Sequence, residues 1–136
     1  DGIRSVVSGV KIINSDADGM PVVPTTAVDV LAIGIMQLAA DIGGLNFLAA
    51  RARAIGNGIT GGGGAGSGIA AESGTGDDSV IVGNIVKDPA VSGINIAVND
   101  ENCVVVGNRA DPDGTGGAID DTSGTSTVSA NDLETF

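Results

Sequence analysis

Glycine recurs in this chain at an interval that few folds can absorb. A Gly followed by a mostly apolar residue returns as Gly19-Met20, Gly44-Leu45, Gly68-Ile69, Gly93-Ile94 and Gly117-Ala118, at steps of 25, 24, 25 and 24 residues. A second series interleaves with it: Val7-Ser8-Gly9, Ala32-Ile33-Gly34, Ala54-Ile55-Gly56-Asn57, Ile81-Val82-Gly83-Asn84 and Val105-Val106-Gly107-Asn108, at steps of 25, 22, 27 and 24. Ser129-Ala130-Asn131 reads as a sixth, degraded copy. Each copy holds two short β-branched runs separated by Gly, Asn and Asp turns, too little to bury an apolar side alone. Stacking successive copies buries it. The repeat predicts an all-β chain, a right-handed single-stranded parallel β-helix of about five coils of 24–25 residues forming one domain over 1–136.

Composition agrees with narrow, repetitive layers. Hydrophobic residues make up 42% of the chain, yet Phe47 and Phe136 are its whole aromatic complement, so the core must be built from Val, Ile, Leu and Ala. Asn57, Asn84 and Asn108 fall where successive copies leave a strand and turn. Asn tolerates left-handed backbone there and its amide can bond to the amide one coil away, which predicts a structural ladder. The segment 61–68 is almost all Gly and lacks the Lys-Ser/Thr ending of a phosphate-binding loop, so it reads as a turn between coils. Residues 111–136 are poorer in large apolar side chains and read as a looser terminal coil or cap.

A rival pattern runs through 27–56. Val28, Leu31, Ile35, Leu38, Ile42, Leu45, Leu48, Ala52 and Ile55 recur at three- and four-residue steps, the spacing of an α-helical hairpin broken at Gly43-Gly44. The glycine register crosses this segment without skipping a copy, which favours a β coil over a short helical insertion.

Charge and residue type exclude several functions. The formal charge of -11 repels phosphate backbones and anionic lipid, so no nucleic-acid partner is expected. There is no His, which removes imidazole catalysis and most transition-metal sites from this chain alone. Cys103 is solitary and sits in an apolar run, as a small buried hydrophobe would. The stretch 28–42 is interrupted by Asp29, Gln37 and Asp41, so no membrane span is expected. Starting without Met, the chain is expected to be a fragment of a longer one.

Acidic pairs at Asp77-Asp78, Asp100-Glu101 and Asp120-Asp121 recur in successive turns. Two carboxylates about 5 to 9 Å apart are what glycoside hydrolysis requires. A solvated acidic edge that discourages edge-to-edge association explains the same residues without chemistry. Asp16-Ala17-Asp18-Gly19 and Asp111-Pro112-Asp113-Gly114 share fragments of Ca²⁺ loops but lack the bidentate Glu that completes them. They read as turns, with Ca²⁺ the one cofactor such residues could take.

The run from Ser79-Val80-Ile81-Val82-Gly83-Asn84 to Gly93-Ile94-Asn95-Ile96, then Asn102-Cys103-Val104-Val105-Val106-Gly107-Asn108, resembles the repeats of right-handed parallel β-helix proteins. That superfamily includes pectate-lyase-like enzymes and bacteriophage tailspike and spike-fibre modules. The resemblance implies a carbohydrate ligand, a homotrimer or further coils of the same chain as neighbours, and a place on a virion surface or outside the cell. Sugar-cleaving members carry paired carboxylates, or a basic residue with Ca²⁺, in a groove with aromatic platforms. This chain has no Trp or Tyr. The expectation is therefore a non-catalytic structural or adhesive module of a spike or fibre that recognises or spaces a host surface. A fragment of a polysaccharide lyase or hydrolase using the acidic pairs, and the passenger segment of a secreted adhesin, are the alternatives.

Overall fold

The computed structural model describes residues 51–60, 67–71, 77–98, 100–112 and 115–133 in full, and the backbone of five short strands nearer the start. The chain makes successive passes through three sheets. The first pass holds β1 (Val6–Ser8) and β2 (Lys11–Ile13); the second β3 (Leu31–Ile33), β4 (Met36–Leu38) and β5 (Leu45–Phe47). The third holds β6 (Arg53–Ile55), β7 (Gly58–Thr60) and β8 (Ile69–Ala71). The fourth holds β9 (Val80–Val82), β10 (Ile85–Lys87) and β11 (Ser92–Ile96). The fifth holds β12 (Val104–Val106), β13 (Arg109–Ala110) and β14 (Gly117–Asp121), and β15 (Thr127–Ser129) opens a sixth. The sheets run β1-β3-β6-β9-β12-β15, β13-β10-β7-β4-β2 and β14-β11-β8-β5. Every strand pairing among the described residues is parallel. The described residues are thus all-strand with parallel sheets, and no helix among them is long and apolar enough to cross a membrane.

The segment that also fits a helical hairpin contains β3, β4, β5 and β6, in register with the passes after it. The helical spacing does not follow the strand alternation. Ala32 and Gln37 are the residues in line with the buried Ala54 and Ile59 of the next pass, whereas Leu31 and Leu38 of the helical pattern are in line with Arg53 and Thr60.

The core is correspondingly narrow. Ala54, Ile81 and Val105 form one stacked column, Ile59, Val86 and Ala110 a second, and Ile69, Ile94 and Ile96 face them from the third sheet, all essentially without exposure. Burying each large member stabilises by about 1.5–3 kcal/mol. Space between the columns is so limited that Gly93 cannot carry a side chain: a Cβ would lie 2.5 Å from the Ala118 carbonyl oxygen and 2.8 Å from the Ala110 Cβ. At Gly68 the obstruction is the Val86 side chain and the Gly93 carbonyl, the latter at 2.8 Å.

This packing corrects the glycine register at one point. Ser92 pairs with Gly117 and Ile94 with Ile119, so the residue in line with Gly93 is Ala118, and the last step is 25 rather than 24. The constraint lapses there because the obstructing carbonyl belongs to the following pass, and β14 is the last strand of its sheet. Gly117 is a glycine for another reason, a φ of +82°. Gly19 and Gly44 lie outside the described residues.

Candidate functional site

The polar groups brought together most completely are the three asparagines and a fourth. Each follows a residue in left-handed conformation at the corner between the first two sheets: Gly56 (φ +63°), Gly83 (+65°), Gly107 (+65°) and Ala130 (+52°). That corner turns Asn57, Asn84 and Asn108 inward, each 1% exposed. The Oδ1 of Asn84 accepts from the Asn57 backbone N–H and from its Nδ2, both at 2.9 Å. The Asn84 Nδ2 donates to the Asn108 Oδ1 at 2.9 Å and to the Ala54 carbonyl of the preceding pass at 2.9 Å. All four hydrogen-bonding positions of that amide are filled.

The pattern then repeats. Asn108 Oδ1 accepts from the Asn84 backbone N–H at 3.0 Å, and Asn108 Nδ2 donates to Asn131 Oδ1 at 3.0 Å and to the Ile81 carbonyl at 2.9 Å. Asn131 Oδ1 also takes the Asn108 N–H at 2.9 Å, and its Nδ2 donates to the Val105 carbonyl at 3.0 Å. The sixth copy is therefore a working rung. It is hard to see in sequence because Ala130 stands where glycine is expected.

The acidic residues occupy two separate places. Asp77 and Asp78 lie on the connection into the first sheet, and because Val80 pairs with Val104 they are in line with Glu101 and Asn102 rather than with Asp100 and Glu101. Asp77 Oδ1 accepts the Glu101 backbone N–H at 2.7 Å, and the Asp78 N–H donates to the Glu101 carbonyl at 2.8 Å. Asp78 and Asn102 share left-handed backbone, φ +58° and +57°. Asp100 is fully buried in the same connection. Asp120 and Asp121 belong to β14, in line with Asn95 and Ile96. Asp121 Oδ1 accepts from the Ser123 N–H at 3.0 Å and the Ser123 hydroxyl at 2.5 Å, closing the turn after that strand.

Among the described residues no group of three or more His, Cys, Asp or Glu is placed to hold a metal. Of the two calcium-loop fragments, Asp111 and Pro112 are described: Asp111 is 1% exposed and its N–H donates to the Val86 carbonyl at 3.0 Å. Residues 113–114 and 16–19 lie outside the described set. Cys103 is buried without exposure in line with Ser79 and Ser126. Burial pushes its thiol above the ordinary range and the Asp100 and Asp77 charges push the same way, against hydrogen bonds from the Ser79 backbone and the Ser126 side chain. A thiol held neutral in this way is a poor nucleophile.

These features define an all-strand protein of stacked parallel sheets with an internal amide ladder. No protein-family model, no curated protein and no solved structure matches the chain.

Proposed function

We propose that the three sheets close into a right-handed parallel β-helix, one strand per sheet in each coil, that serves as a non-catalytic structural and adhesive module of a spike or fibre. It would stand on a virion surface or otherwise outside the cell, spacing or presenting a site for host-surface glycan. The observation that carries this reading is the asparagine ladder. Its amides hold one pass to the next, and the central one, Asn84, has no donor or acceptor left over for a ligand. The acidic pairs favour the same side, since Asp77 and Asp121 already accept backbone N–H groups. Neighbours in such a spike would be copies in a homotrimer or further coils. The half-buried Ile55, Val80, Val82, Val104 and Val106 flank the inward residues of the first sheet and give its outer face an apolar stripe for a lateral contact.

Incubation with capsular polysaccharide and lipopolysaccharide tests the reading. Retention of glycan on immobilised protein with no new reducing ends is expected. Release of reducing ends that disappears in Asp77→Ala, with a dichroism spectrum unchanged from the parent, would establish the polysaccharide-cleaving alternative instead.

A further inference from the structure

Gly58 is a glycine that the fold does not require. It lies in β7 with its backbone outside the left-handed region, and a Cβ there would meet nothing within 4 Å. The residues in line with it in the neighbouring passes are Met36 and Ile85, and Arg109 follows in the same column. It differs in this from Gly56, where φ is +63°, and from Gly68 and Gly93, where a side chain would collide. What Gly58 does alter is the chemistry open to the residue before it.

Asn57-Gly58 is the one Asn-Gly step in the sequence, and the other ladder asparagines precede Ile85, Arg109 and Asp132. In an Asn-Gly step the glycine nitrogen can reach the asparagine Cγ, because the second residue has no side chain to obstruct the approach and its backbone turns readily. The N–Cγ bond forms and the Cγ–Nδ2 bond breaks, and Nδ2 leaves as ammonia with the proton from the glycine N–H. Water then opens the cyclic imide at either carbonyl, giving aspartate or isoaspartate.

The fold blocks that closure at three points. The Asn57 backbone N–H and its Nδ2 both donate to Asn84 Oδ1 at 2.9 Å, and the Asn57 carbonyl accepts from the Ile85 N–H at 2.8 Å. Ring closure needs rotation of the side chain and of the peptide that joins Asn57 to Gly58, so it breaks contacts with the fourth pass. The burial of Asn57, 1% exposed, also keeps away the water that shuttles the proton. We propose that Asn57 is a deamidation site gated by its own rung of the ladder, inert while the third and fourth passes are joined and converted when they part. The change then holds them apart. An aspartate at 57 sets a carboxylate oxygen against Asn84 Oδ1 where the amide had donated. An isoaspartate adds a main-chain carbon ahead of β7 and shifts that strand out of register. This inference uses the ladder and Gly58 alone and does not depend on the spike reading.

Peptide mass spectrometry on the chain incubated at mildly alkaline pH, either folded or in guanidinium chloride, tests it. In denaturant Asn57 should convert faster than Asn84 and Asn108 of the same sample by about tenfold or more. In the folded chain its conversion should be slower than in denaturant by about a hundredfold or more, in proportion to the time the rung is open. Gly58→Ile supplies the residue that the next pass carries at this position, so the dichroism spectrum should be unchanged. The same substitution should remove the fast conversion in denaturant, a rate that is read whether or not the variant folds. On return to buffer, the refolded fraction of the parent should fall in step with Asn57 conversion, while Gly58→Ile refolds fully after the same incubation. Conversion of Asn57 as fast folded as unfolded, equal rates at the three asparagines in denaturant, or a deamidated chain that refolds to the parent's denaturation midpoint would each overturn the proposal.

Discussion

Replacing Asn84 by Ala should be among the most damaging single substitutions in this chain. The variant leaves the Asn57 backbone N–H and one Asn57 Nδ2 hydrogen without their acceptor, and it removes the donor to the Ala54 carbonyl and to Asn108 Oδ1. The Asn108 oxygen keeps the bond from the residue-84 backbone N–H, so it is only half deprived. Two orphaned donors and one orphaned carbonyl, at about 1–3 kcal/mol for each buried group left unmade, predict a loss of about 3–9 kcal/mol. That is a large part of the about 5–15 kcal/mol that holds a domain together. Equilibrium denaturation followed by far-ultraviolet dichroism measures it. Asn84→Asp sharpens the test because the carboxylate keeps an acceptor facing Asn57 but, when ionised, sets negative charge against the Asn108 oxygen and the Ala54 carbonyl. Its folded pKa is raised above the unfolded value of about 3.9, so its neutral form is favoured in the folded chain and stability falls as pH rises through that raised value. The Asp variant should therefore approach the parent in acid and fall away from it toward neutrality. A cost below about 1 kcal/mol for Asn84→Ala, or a pH-independent deficit for Asn84→Asp, would refute the view that these amides hold the passes together.

Ala130→Gly should raise stability by about 1 kcal/mol, because Ala130 takes a φ of +52° at the corner where Gly56, Gly83 and Gly107 stand; an unchanged or lower midpoint in the same denaturation assay would count against a strained corner. Gly93→Val should prevent folding or leave a collapsed species without sharp amide resonances, since even a Cβ meets the Ala118 carbonyl at 2.5 Å; a well-dispersed heteronuclear spectrum would contradict it. The raised Cys103 thiol makes the folded state prefer the neutral form, so this stabilisation is complete below the thiol's ordinary pKa and is lost as pH climbs through the raised value. Cys103→Ala should abolish that alkaline component of a pH-dependent melting series, and a parent and variant that lose stability in parallel above pH about 9 would show that the thiol does not contribute it.

What could be read from the sequence was what the backbone itself demands. Gly56, Gly83 and Gly107 are visible as a series because each sits in left-handed conformation at the same corner, and the asparagines after them are visible because a buried amide at that corner needs a partner one pass away. Where the physical demand lapses, so does the signal. Ala118 breaks the first glycine series at the last strand of the third sheet, and Ala130 blurs the second at the last strand of the first, although Asn131 still completes a rung there. The same reasoning explains the acidic residues. Pairs along the chain suggested three equivalent sites, but equivalence across passes is set by strand register, which puts Asp77 beside Glu101, buries Asp100 and leaves Asp120 and Asp121 on a different sheet.

The ladder is not distributed evenly, and that unevenness ties sequence to architecture more tightly than the repeat length does. In the first two copies the residue after the corner glycine is Val10 or Ile35, so the sequence at this place in the repeat changes from apolar to amide between the second copy and the third. An apolar residue at such a corner asks only for burial, whereas an amide asks for an aligned partner on each side, which specifies register as well as proximity. The asparagine half should therefore fix the relative placement of the passes from the third to the sixth. Its last described rung uses the same kinds of bond as the others, since the Asn131 Nδ2 donates to the Val105 carbonyl and its Oδ1 accepts twice from Asn108.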